Sequence, residues 1–183
     1  REEDSIAVVG LGGVGLSALL ASIAIGSKKT IAIDLSNEKL NLALELGADH
    51  ILNPNDADFL ERIRDLTSGG ANIAIETAGS GKALKTAYDI TRRGGTTVAA
   101  GMPGPKVDIT LSHLSIAAEE RIIKGSYMGS CIAHRDIPKY LDMFQTGKLP
   151  VDRLLSRKIT FEELNEAMDR LDDAKTVREV LIP

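Results

Sequence analysis

The stretch Ser5-Ile6-Ala7-Val8-Val9-Gly10-Leu11-Gly12-Gly13-Val14-Gly15 decides the fold of this chain. An apolar run typical of a buried strand leads directly into glycines with the spacing Gly-x-Gly-x-x-Gly, and an apolar helical pattern follows. Gly10 permits a tight turn, Gly12 lets the backbone approach a pyrophosphate, and Gly15 lets the helix pack closely on the strand. The anion would lie on free N–H groups at the positive end of the helix. The stretch therefore predicts the first strand and helix of a dinucleotide-binding fold.

An acidic residue follows at the distance that this fold uses for ribose binding. Asp34 ends the second apolar run 34 − 15 = 19 residues after the last glycine, close to the usual spacing of about 20. A carboxylate accepts hydrogen bonds from both ribose hydroxyls and repels a 2′-phosphate, which favours NAD over NADP. Lys39, one turn into the next helix, either reaches the same ribose or is solvated. The alternative is a turn without a ligand and Asp34 as a helix cap, and the joint order of these features argues against it.

Short β-branched runs alternate with helical patterns over the first two thirds of the chain. The expected strands are 5–10, 30–34, 50–52, 73–76, 96–100 and 122–125, and the expected helices lie near 13–26, 37–46, 56–67 and 81–91. Ser36 and Ser80 are predicted to cap the second and fourth helices, and Gly94-Gly95 to end the fourth. Most strands are continuous apolar runs, as expected where helices cover both faces of a sheet. We therefore predict an α/β fold with a doubly wound six-stranded parallel sheet of Rossmann type.

The pattern changes from about Met128 onward, where a helical and strand extension is expected. One helix is predicted from near Pro138 to Gly147, with Asp136 as its cap. Thr160-Phe161-Glu162-Glu163 is a capping box before a second helix, and residues 176–182 read as a terminal strand. The predicted division is a nucleotide-binding domain over 1–127 and a C-terminal segment over 128–183.

Composition excludes several classes of function. The chain has 183 residues, and 22 Lys+Arg against 26 Asp+Glu give 22 − 26 = −4, so a surface that neutralises nucleic-acid phosphates is not expected. The apolar stretch Val14–Ile25 is shorter than the roughly 20 residues that span a bilayer. No secretion signal is recognised. A single cysteine, Cys131, indicates reducing, cytoplasmic surroundings, and the three histidines are scattered, so neither a catalytic residue nor a metal site is assigned.

The ordered set of motifs resembles one known family over nearly the whole chain, namely the medium-chain zinc-type alcohol dehydrogenases in their cofactor-binding half and C-terminal tail. The resemblance rests on the glycine turn and on the following segments: Ala32-Ile33-Asp34, Glu45-Leu46-Gly47-Ala48, Asn53-Pro54, Gly69-Gly70-Ala71, Glu76-Thr77-Ala78-Gly79, Gly94-Gly95-Thr96, Gly101-Met102-Pro103, Lys124-Gly125-Ser126-Tyr127-Met128-Gly129-Ser130 and Val177-Arg178-Glu179-Val180-Leu181.

The resemblance implies a set of NAD contacts. The pyrophosphate would be held by Gly10, Gly12, Gly13, Val14 and Gly15, with Arg178 reaching it from the tail. Asp34 and Lys39 would bind the adenosine ribose. Thr77, Ala78 and Gly79 would lie over the cofactor, and backbone groups of Ala100, Ser126 and Met128 would hold the nicotinamide carboxamide. Gly101 would be a further cofactor contact. Taken without the resemblance, Arg178 reads as a solvated strand arginine.

The chain departs from the family in one respect. The family's zinc ligands and proton relay lie in an N-terminal catalytic domain of roughly 150 residues, a typical domain size, and one cysteine and three scattered histidines cannot replace them. We therefore expect the NAD-binding domain of a longer enzyme that oxidises an alcohol to an aldehyde or ketone by hydride transfer to NAD. The parent would hold zinc and substrate through the other domain, and this chain would bind cofactor without turnover. The tail would pack partly against that domain, which leaves apolar surface exposed.

Three further readings stay open. The chain is compatible with the zinc-free quinone-reductase branch of the superfamily, although Asp34 disfavours the NADPH which that branch prefers. A nucleotide-sensing regulatory module would share the glycine turn and the acid, but not the 124–130 segment or the Arg178 tail. A homo-oligomer through the edge strand 122–125 is also expected from the resemblance, because an exposed edge can pair with a second copy.

Overall fold

A computed structural model of the chain describes residues 4–172 and 176–182. Its main strands are β1 (Ser5–Val9), β2 (Lys29–Ile33), β3 (His50–Leu52), β4 (Ala71–Glu76), β5 (Thr91–Ala99) and β6 (Ile122–Gly125). All pairings among them are parallel, in the order β3-β2-β1-β4-β5-β6. The predicted α/β class and six-stranded Rossmann sheet are confirmed.

Helices connect the strands, and some of them begin at a serine whose side chain caps the first turn. They are α1 (Gly13–Ala24), α2 (Asn37–Glu45), α3 (Phe59–Thr67), α4 (Gly81–Ile90), α5 (His113–Ala118), α6 (Ala133–Gln145) and α7 (Leu164–Asp172). Ser36 accepts the Lys39 N–H at the start of α2, and Ser80 accepts the Ala83 N–H at the start of α4. Both predicted caps are therefore confirmed, since each satisfies a backbone donor that the helix leaves free. The short helix α5 was not predicted.

The core forms two layers because β1 is buried on both faces. Ile6 and Val8 pack with α1 and α2 on one face, whereas Ala7 and Val9 pack with α3 and α4 on the other. Successive strand residues point to opposite faces, so a doubly covered strand must be apolar throughout. Each fully buried Val, Leu or Ile side chain contributes about 1.5–3 kcal/mol.

The strand order fixes where a ligand can bind. β1 pairs with β2 on one side and with β4 on the other, so the connections leave β1 and β4 in opposite directions. A crevice therefore opens beyond the carboxyl ends of these strands, which is where open parallel sheets bind ligands.

The prediction that Gly94-Gly95 ends α4 is wrong. The helix ends at Ile90, and the chain continues directly as β5 through both glycines. The pairing of β5 with β4 shifts register between Ala71 and Ile73, and Gly94 has φ 66°. The two glycines therefore belong to an irregular stretch of β5, in which Gly94 adopts a left-handed conformation, and they do not end a helix.

The C-terminal extension differs from its prediction in three places. Helix α6 begins at Ala133, several residues before Pro138, and the terminal strand β8 is confined to Glu179–Leu181. An unpredicted strand, β7 (Arg157–Ile159), pairs with β8 in parallel. Short 3-10 helices at Met128–Ser130 and Val151–Leu154 complete the extension. The division at residue 127 stays a prediction, and Leu149 and Leu154 pack into the same core layer as α1.

The apolar stripe of α6 faces outward. Ile137, Tyr140, Leu141 and Phe144 are 40–55% exposed, whereas Asp136 is buried. None of the helices in the described residues has the length and apolar character needed to cross a membrane.

The prediction that Asp136 caps α6 is wrong, because the helix begins at Ala133 with Ile132 at the N-cap position. The Asp136 carboxylate still binds the first turn of this helix. Its Oδ2 accepts the N–H of Ile132 at 2.9 Å, and Arg135 donates to both carboxylate oxygens at 2.7 and 2.8 Å. These hydrogen bonds lower the pKa of the Asp136 carboxyl well below its usual range. The carboxylate thus satisfies a free backbone donor and lies near the positive helix end, where a negative charge is favourable.

Replacing Asp136 with alanine is expected to destabilise the fold at neutral pH and to lose that effect in acid. The folded-state pKa is lowered, so the ionised carboxylate contributes its full stability above the unfolded pKa of about 3.9. That contribution falls as the pH drops below the unfolded pKa and is gone below the folded pKa. Urea unfolding of both proteins at neutral pH and in steps below about pH 4 measures the difference. Asp142→Ala, on the same helix, is the control. An equal loss of unfolding free energy in both variants would contradict the stabilising role assigned to Asp136.

Candidate nucleotide-binding site

The glycine turn joins three elements at one backbone carbonyl. Gly10 has φ 92° and donates its N–H to the Ile33 carbonyl at 2.8 Å. The Thr77 hydroxyl donates to the Gly10 carbonyl at 2.6 Å. An ideal Cβ on Gly15 would stand 1.8 Å from that same oxygen, so α1 can approach β1 this closely only with glycine there. The turn therefore fixes the height of the α1 N-terminus above the sheet.

The space in front of Gly12 is open. An ideal Cβ on Gly12 meets no atom within 4 Å, and the residue has φ −80° and ψ −168°, which any residue adopts. Gly12 is thus not required by packing or by backbone conformation. Its position at the start of α1, where helix N–H groups point outward, leaves room for an anion close to the backbone.

Asp34 lies beside the turn and contacts it directly. Its Oδ2 accepts the Leu11 N–H at 2.6 Å, and its Oδ1 accepts the Ser36 N–H at 2.9 Å. The alternative that Asp34 caps α2 is wrong, because Ser36 is the cap. Each carboxylate oxygen has a second acceptor site. The side chain can therefore hold the turn and accept hydrogen bonds from a ligand.

A cleft of about 640 Å³ lies at the carboxyl ends of β1, β2 and β4, within the size range of small-molecule sites. Four of the sequence-predicted residues line it, namely Gly10, Asp34, Lys39 and Ala78. The opposite wall comes from the segment after β3 and from the first turns of α4. Sequence reasoning missed this wall, which includes Pro54, Ala57, Leu60, Ser80, Ala83 and Thr86. The charged residues Asp56, Lys82 and Asp89 also line the cleft, and only the fold brings all of these residues together.

Arg178 lies at the N-terminus of α1. Its Nη2 is 3.1 Å from the ideal Cβ position of Gly13, next to the Val177 carbonyl. Within the part of the chain that the structure describes, no carboxylate lies within 4 Å of the Arg178 guanidinium. A cation beside the positive end of a helix is electrostatically unfavourable by itself and favourable with an anion between them.

The remaining predicted residues lie at the ends of β4, β5 and β6, outside the cleft. Thr77 turns inward to the glycine turn, and the N–H groups of Ala100 and Gly101 both donate to the Glu76 carbonyl at 2.9 Å. Ser126 donates its N–H to the Ala99 carbonyl at 2.9 Å, and the Met128 side chain is 80% exposed. Their proposed contacts with a nicotinamide end stay predictions.

Glu76 is a residue of this site to which the sequence analysis gave no role. Its side chain is 2% exposed, and its Oε1 accepts the Gly79 N–H at 2.6 Å. Its main chain also accepts from the loop after β5, so Glu76 links the two loops that follow β4 and β5. A charged residue at the end of the apolar run 71–76 was the available signal.

No group of three or more metal-ligating side chains occurs among the described residues.

The strand order, the glycine turn and the crevice define an α/β domain of the Rossmann class. The family described as zinc-binding dehydrogenase matches residues 13–146. The chain belongs to this family, and its predicted resemblance to the zinc-type alcohol dehydrogenases is confirmed.

Named relatives agree with this assignment. The chain is 34% identical over 179 residues to geraniol dehydrogenase of Castellaniella defragrans, an alignment that covers 97% of this chain and 48% of the relative. It is also 34% identical over 182 residues to alcohol dehydrogenase class-2 isozyme 2 of Oryctolagus cuniculus, covering 96% and 47%. The chain thus spans about half the length of the curated relatives it matches.

Solved structures show the same correspondence. Benzyl alcohol dehydrogenase from Acinetobacter calcoaceticus is 31% identical with a TM-score of 0.92, covering 97% of this chain and 49% of that one. An alcohol dehydrogenase zinc-binding domain protein from Burkholderia ambifaria is 30% identical with a TM-score of 0.95, covering 100% and 50%. The whole described fold therefore corresponds to about half of each of these proteins.

Two glycine substitutions are expected to separate folding from ligand binding. Gly15→Ala places a methyl group against the Gly10 carbonyl and is expected to lower the free energy of unfolding by about 3 kcal/mol. Gly12→Ala meets only open space and is expected to cost about 1 kcal/mol or less, yet to weaken binding of a dinucleotide such as NADH by about tenfold or more. Urea unfolding and calorimetric titration measure the two effects. Unchanged NADH affinity in Gly12→Ala would show that the open space is not a ligand site.

Proposed function

We propose that this chain binds NAD(H) and is the NAD-binding part of a zinc-type alcohol dehydrogenase. The observation that carries the proposal is the arrangement around the glycine turn. Asp34 lies on the cleft side of the turn. Arg178, which has no ion pair among the described residues, lies beside the N-terminus of α1. An anionic pyrophosphate flanked by a ribose with two hydroxyl groups matches both charges.

The pyrophosphate would be held by backbone and by one side chain. The free N–H groups of the first turn of α1, contributed by Gly12, Gly13, Val14 and Gly15, would donate to its oxygens. The guanidinium of Arg178 would neutralise its charge from the other side. No side chain on Gly12 obstructs this approach.

The adenosine would occupy the cleft. Asp34 would accept hydrogen bonds from the ribose hydroxyls, and Lys39, which lines the same cleft, would lie near them. The adenine base would lie between the apolar side chains of the two cleft walls. The negative charge of Asp34 would oppose a 2′-phosphate, and NAD is therefore the proposed cofactor.

The nicotinamide would be oriented by the ends of β4, β5 and β6. The proposed contacts are Thr77, Ala78, Gly79, Ala100, Gly101, Ser126 and Met128. Glu76 would act indirectly, because it holds the loops that carry Gly79 and Gly101. When bound, the nicotinamide ring supplies the hydride acceptor and donor of the reaction. The loops would set which face of the ring meets the substrate.

We further propose that the whole enzyme oxidises an alcohol to an aldehyde or ketone. Zinc and substrate would be held by the half of the relatives' length that this chain does not span, since the described residues contain no cluster of three or more His, Cys, Asp or Glu side chains that could hold a metal ion. The exposed apolar stripe of α6 would face that half. We place the enzyme in the cytoplasm, because this chain contains a single cysteine and disulfide bonds are rare in that compartment.

The relatives favour this proposal over its alternatives. One is named geraniol dehydrogenase and the other alcohol dehydrogenase, and their alignments cover 97% and 96% of this chain. The quinone-reductase branch would prefer NADPH, which Asp34 opposes. A nucleotide-sensing module would not be expected to retain the Arg178 tail.

Asp34→Ala is expected to change cofactor preference. Loss of hydrogen bonds to a charged group corresponds to roughly 1.5–3 kcal/mol, or about tenfold to hundredfold in NADH affinity. NADPH affinity is expected to stay equal or rise, because the repulsion is removed. Calorimetric titration of the unaltered chain and the variant with both cofactors measures the ratio. Glu38→Gln, in the first turn of α2, is the control, and an unchanged NADH-to-NADPH ratio in Asp34→Ala would refute the ribose assignment.

We also propose that two copies pair through β6. This strand ends the sheet, and its Ile122 and Ile123 are 53% and 41% exposed. An open edge with apolar side chains favours extension of the sheet by a second copy. Light scattering at increasing concentration is expected to show a dimer for the unaltered chain and a monomer for Ile123→Lys. A monomer at every concentration for the unaltered chain would refute the pairing.

A further inference from the structure

The short strand that follows Arg178 is tied to α7 by a two-armed ion pair. Arg170 Nε donates to Glu179 Oε1 and Arg170 Nη2 to Glu179 Oε2, both at 2.9 Å. The Glu179 side chain is only 6% exposed. The pair lowers the pKa of the Glu179 carboxyl and keeps it ionised. Two parallel hydrogen bonds between planar groups fix direction as well as distance.

Glu179 is the chain neighbour of Arg178, so this pair acts next to the proposed pyrophosphate ligand. The main chain of Arg178 is held by Ser156, whose N–H donates to the Arg178 carbonyl at 2.8 Å and whose Oγ accepts the Arg178 N–H at 3.3 Å. The Arg178 guanidinium itself has no ion pair among the residues described. Its position near Gly13 therefore depends on how firmly its strand is held.

Other support for this strand is small. β8 has three residues and pairs only with β7, which also has three, as far as the described residues go. An isolated two-stranded ladder is marginally stable in water. Val180 and Ile182 are partly exposed, whereas Val177 packs against the core layer of α1. The two-armed pair is thus the main polar link between β8 and a helix.

We propose that Arg170 and Glu179 form a positioning pair, which holds Arg178 in front of the glycine turn and so raises the affinity for the pyrophosphate of a dinucleotide. This inference rests on the proposed function. The pair touches no ligand. It reduces the conformational freedom that Arg178 would otherwise lose on binding.

The expected size follows from that role. Ordering one long side chain on binding corresponds to about three- to tenfold in affinity, so Arg170→Ala is expected to weaken NADH binding by about that factor. Arg178→Ala removes the contact itself and is expected to weaken binding by about tenfold or more. If Arg170 acts only through Arg178, the double variant binds NADH no more weakly than Arg178→Ala alone.

The experiment is a double-variant cycle read by calorimetric titration with NADH. The set comprises the unaltered chain, Arg170→Ala, Arg178→Ala and the double variant, with a thermal melt of each. Glu179→Gln removes the charge from the other partner and serves if Arg170→Ala does not fold. Glu166→Gln is the matched control, because Glu166 contacts Arg170 only at 3.7 Å and leaves the two-armed pair intact. The control is expected to bind NADH like the unaltered chain.

The outcomes separate this inference from the proposed function. No NADH binding by the unaltered chain would overturn the proposed function and the inference with it. Binding that Arg178→Ala weakens but neither Arg170→Ala nor Glu179→Gln affects would overturn the inference alone. The inference would also be overturned if Arg170→Ala lowered NADH affinity by the same factor in the unaltered chain and in the Arg178→Ala variant, because that result would show a general structural effect. A loss that disappears in the Arg178→Ala background supports the positioning pair.

Discussion

Helix α1 lies so close to the end of β1 that the Gly10 carbonyl fills the space of any side chain on Gly15, with an ideal Cβ only 1.8 Å from that oxygen. The Thr77 hydroxyl, from the end of β4, donates to the same carbonyl. β1, β4 and α1 therefore meet at one peptide group, at the point where the strand connections change direction. This contact fixes the N-terminus of α1 beside the crevice. The proposed ligand contacts of Asp34 and Arg178 both depend on the position of that helix end, because Asp34 accepts the Leu11 N–H and Arg178 lies beside Gly13.

The charges around the turn are divided in a way that suits a ligand with a charged centre and a polar, uncharged end. Asp34 stands on the cleft side and is held by the Leu11 and Ser36 N–H groups. Arg178 stands on the helix side, where the α1 N-terminus is already positive. A phosphate placed near Asp34 would meet a carboxylate in a partly buried position, where electrostatic interactions are stronger than in water. We therefore expect the proposed site to select its ligand by its arrangement of charge as well as by its shape.

Much of the sheet and part of the site could be predicted because they depend on local patterns. Apolar runs and serine caps act over a few residues, and the six predicted strands of the main sheet and the caps Ser36 and Ser80 agree with the structure. The prediction that Gly94-Gly95 ends α4 was wrong because two adjacent glycines are equally compatible with a helix end and with an irregular strand. Only the pairing with β4 decides between them. β7 was missed because three residues, two of them charged, give no strand pattern without their partner β8. Glu76 was overlooked because one of the two loops that donate to it, the loop at Ala100 and Gly101, is distant in sequence.

Helix α6 shows why an amphipathic pattern predicts a helix more reliably than it predicts the face that is buried. Its sequence stripe is apolar, yet those side chains are about half exposed and Asp136 lies inward. The helix is held instead at its two ends. At the start, the Asp136 carboxylate binds the Ile132 N–H and Arg135. Near the end, Met143 packs on the core layer, and its carbonyl accepts the Leu149 N–H at 3.0 Å. The Asp136 contacts therefore stabilise the first turn of α6 locally, and the packing of Met143 attaches its last turns to the core, whereas the exposed apolar stripe contributes little to attachment within the described residues.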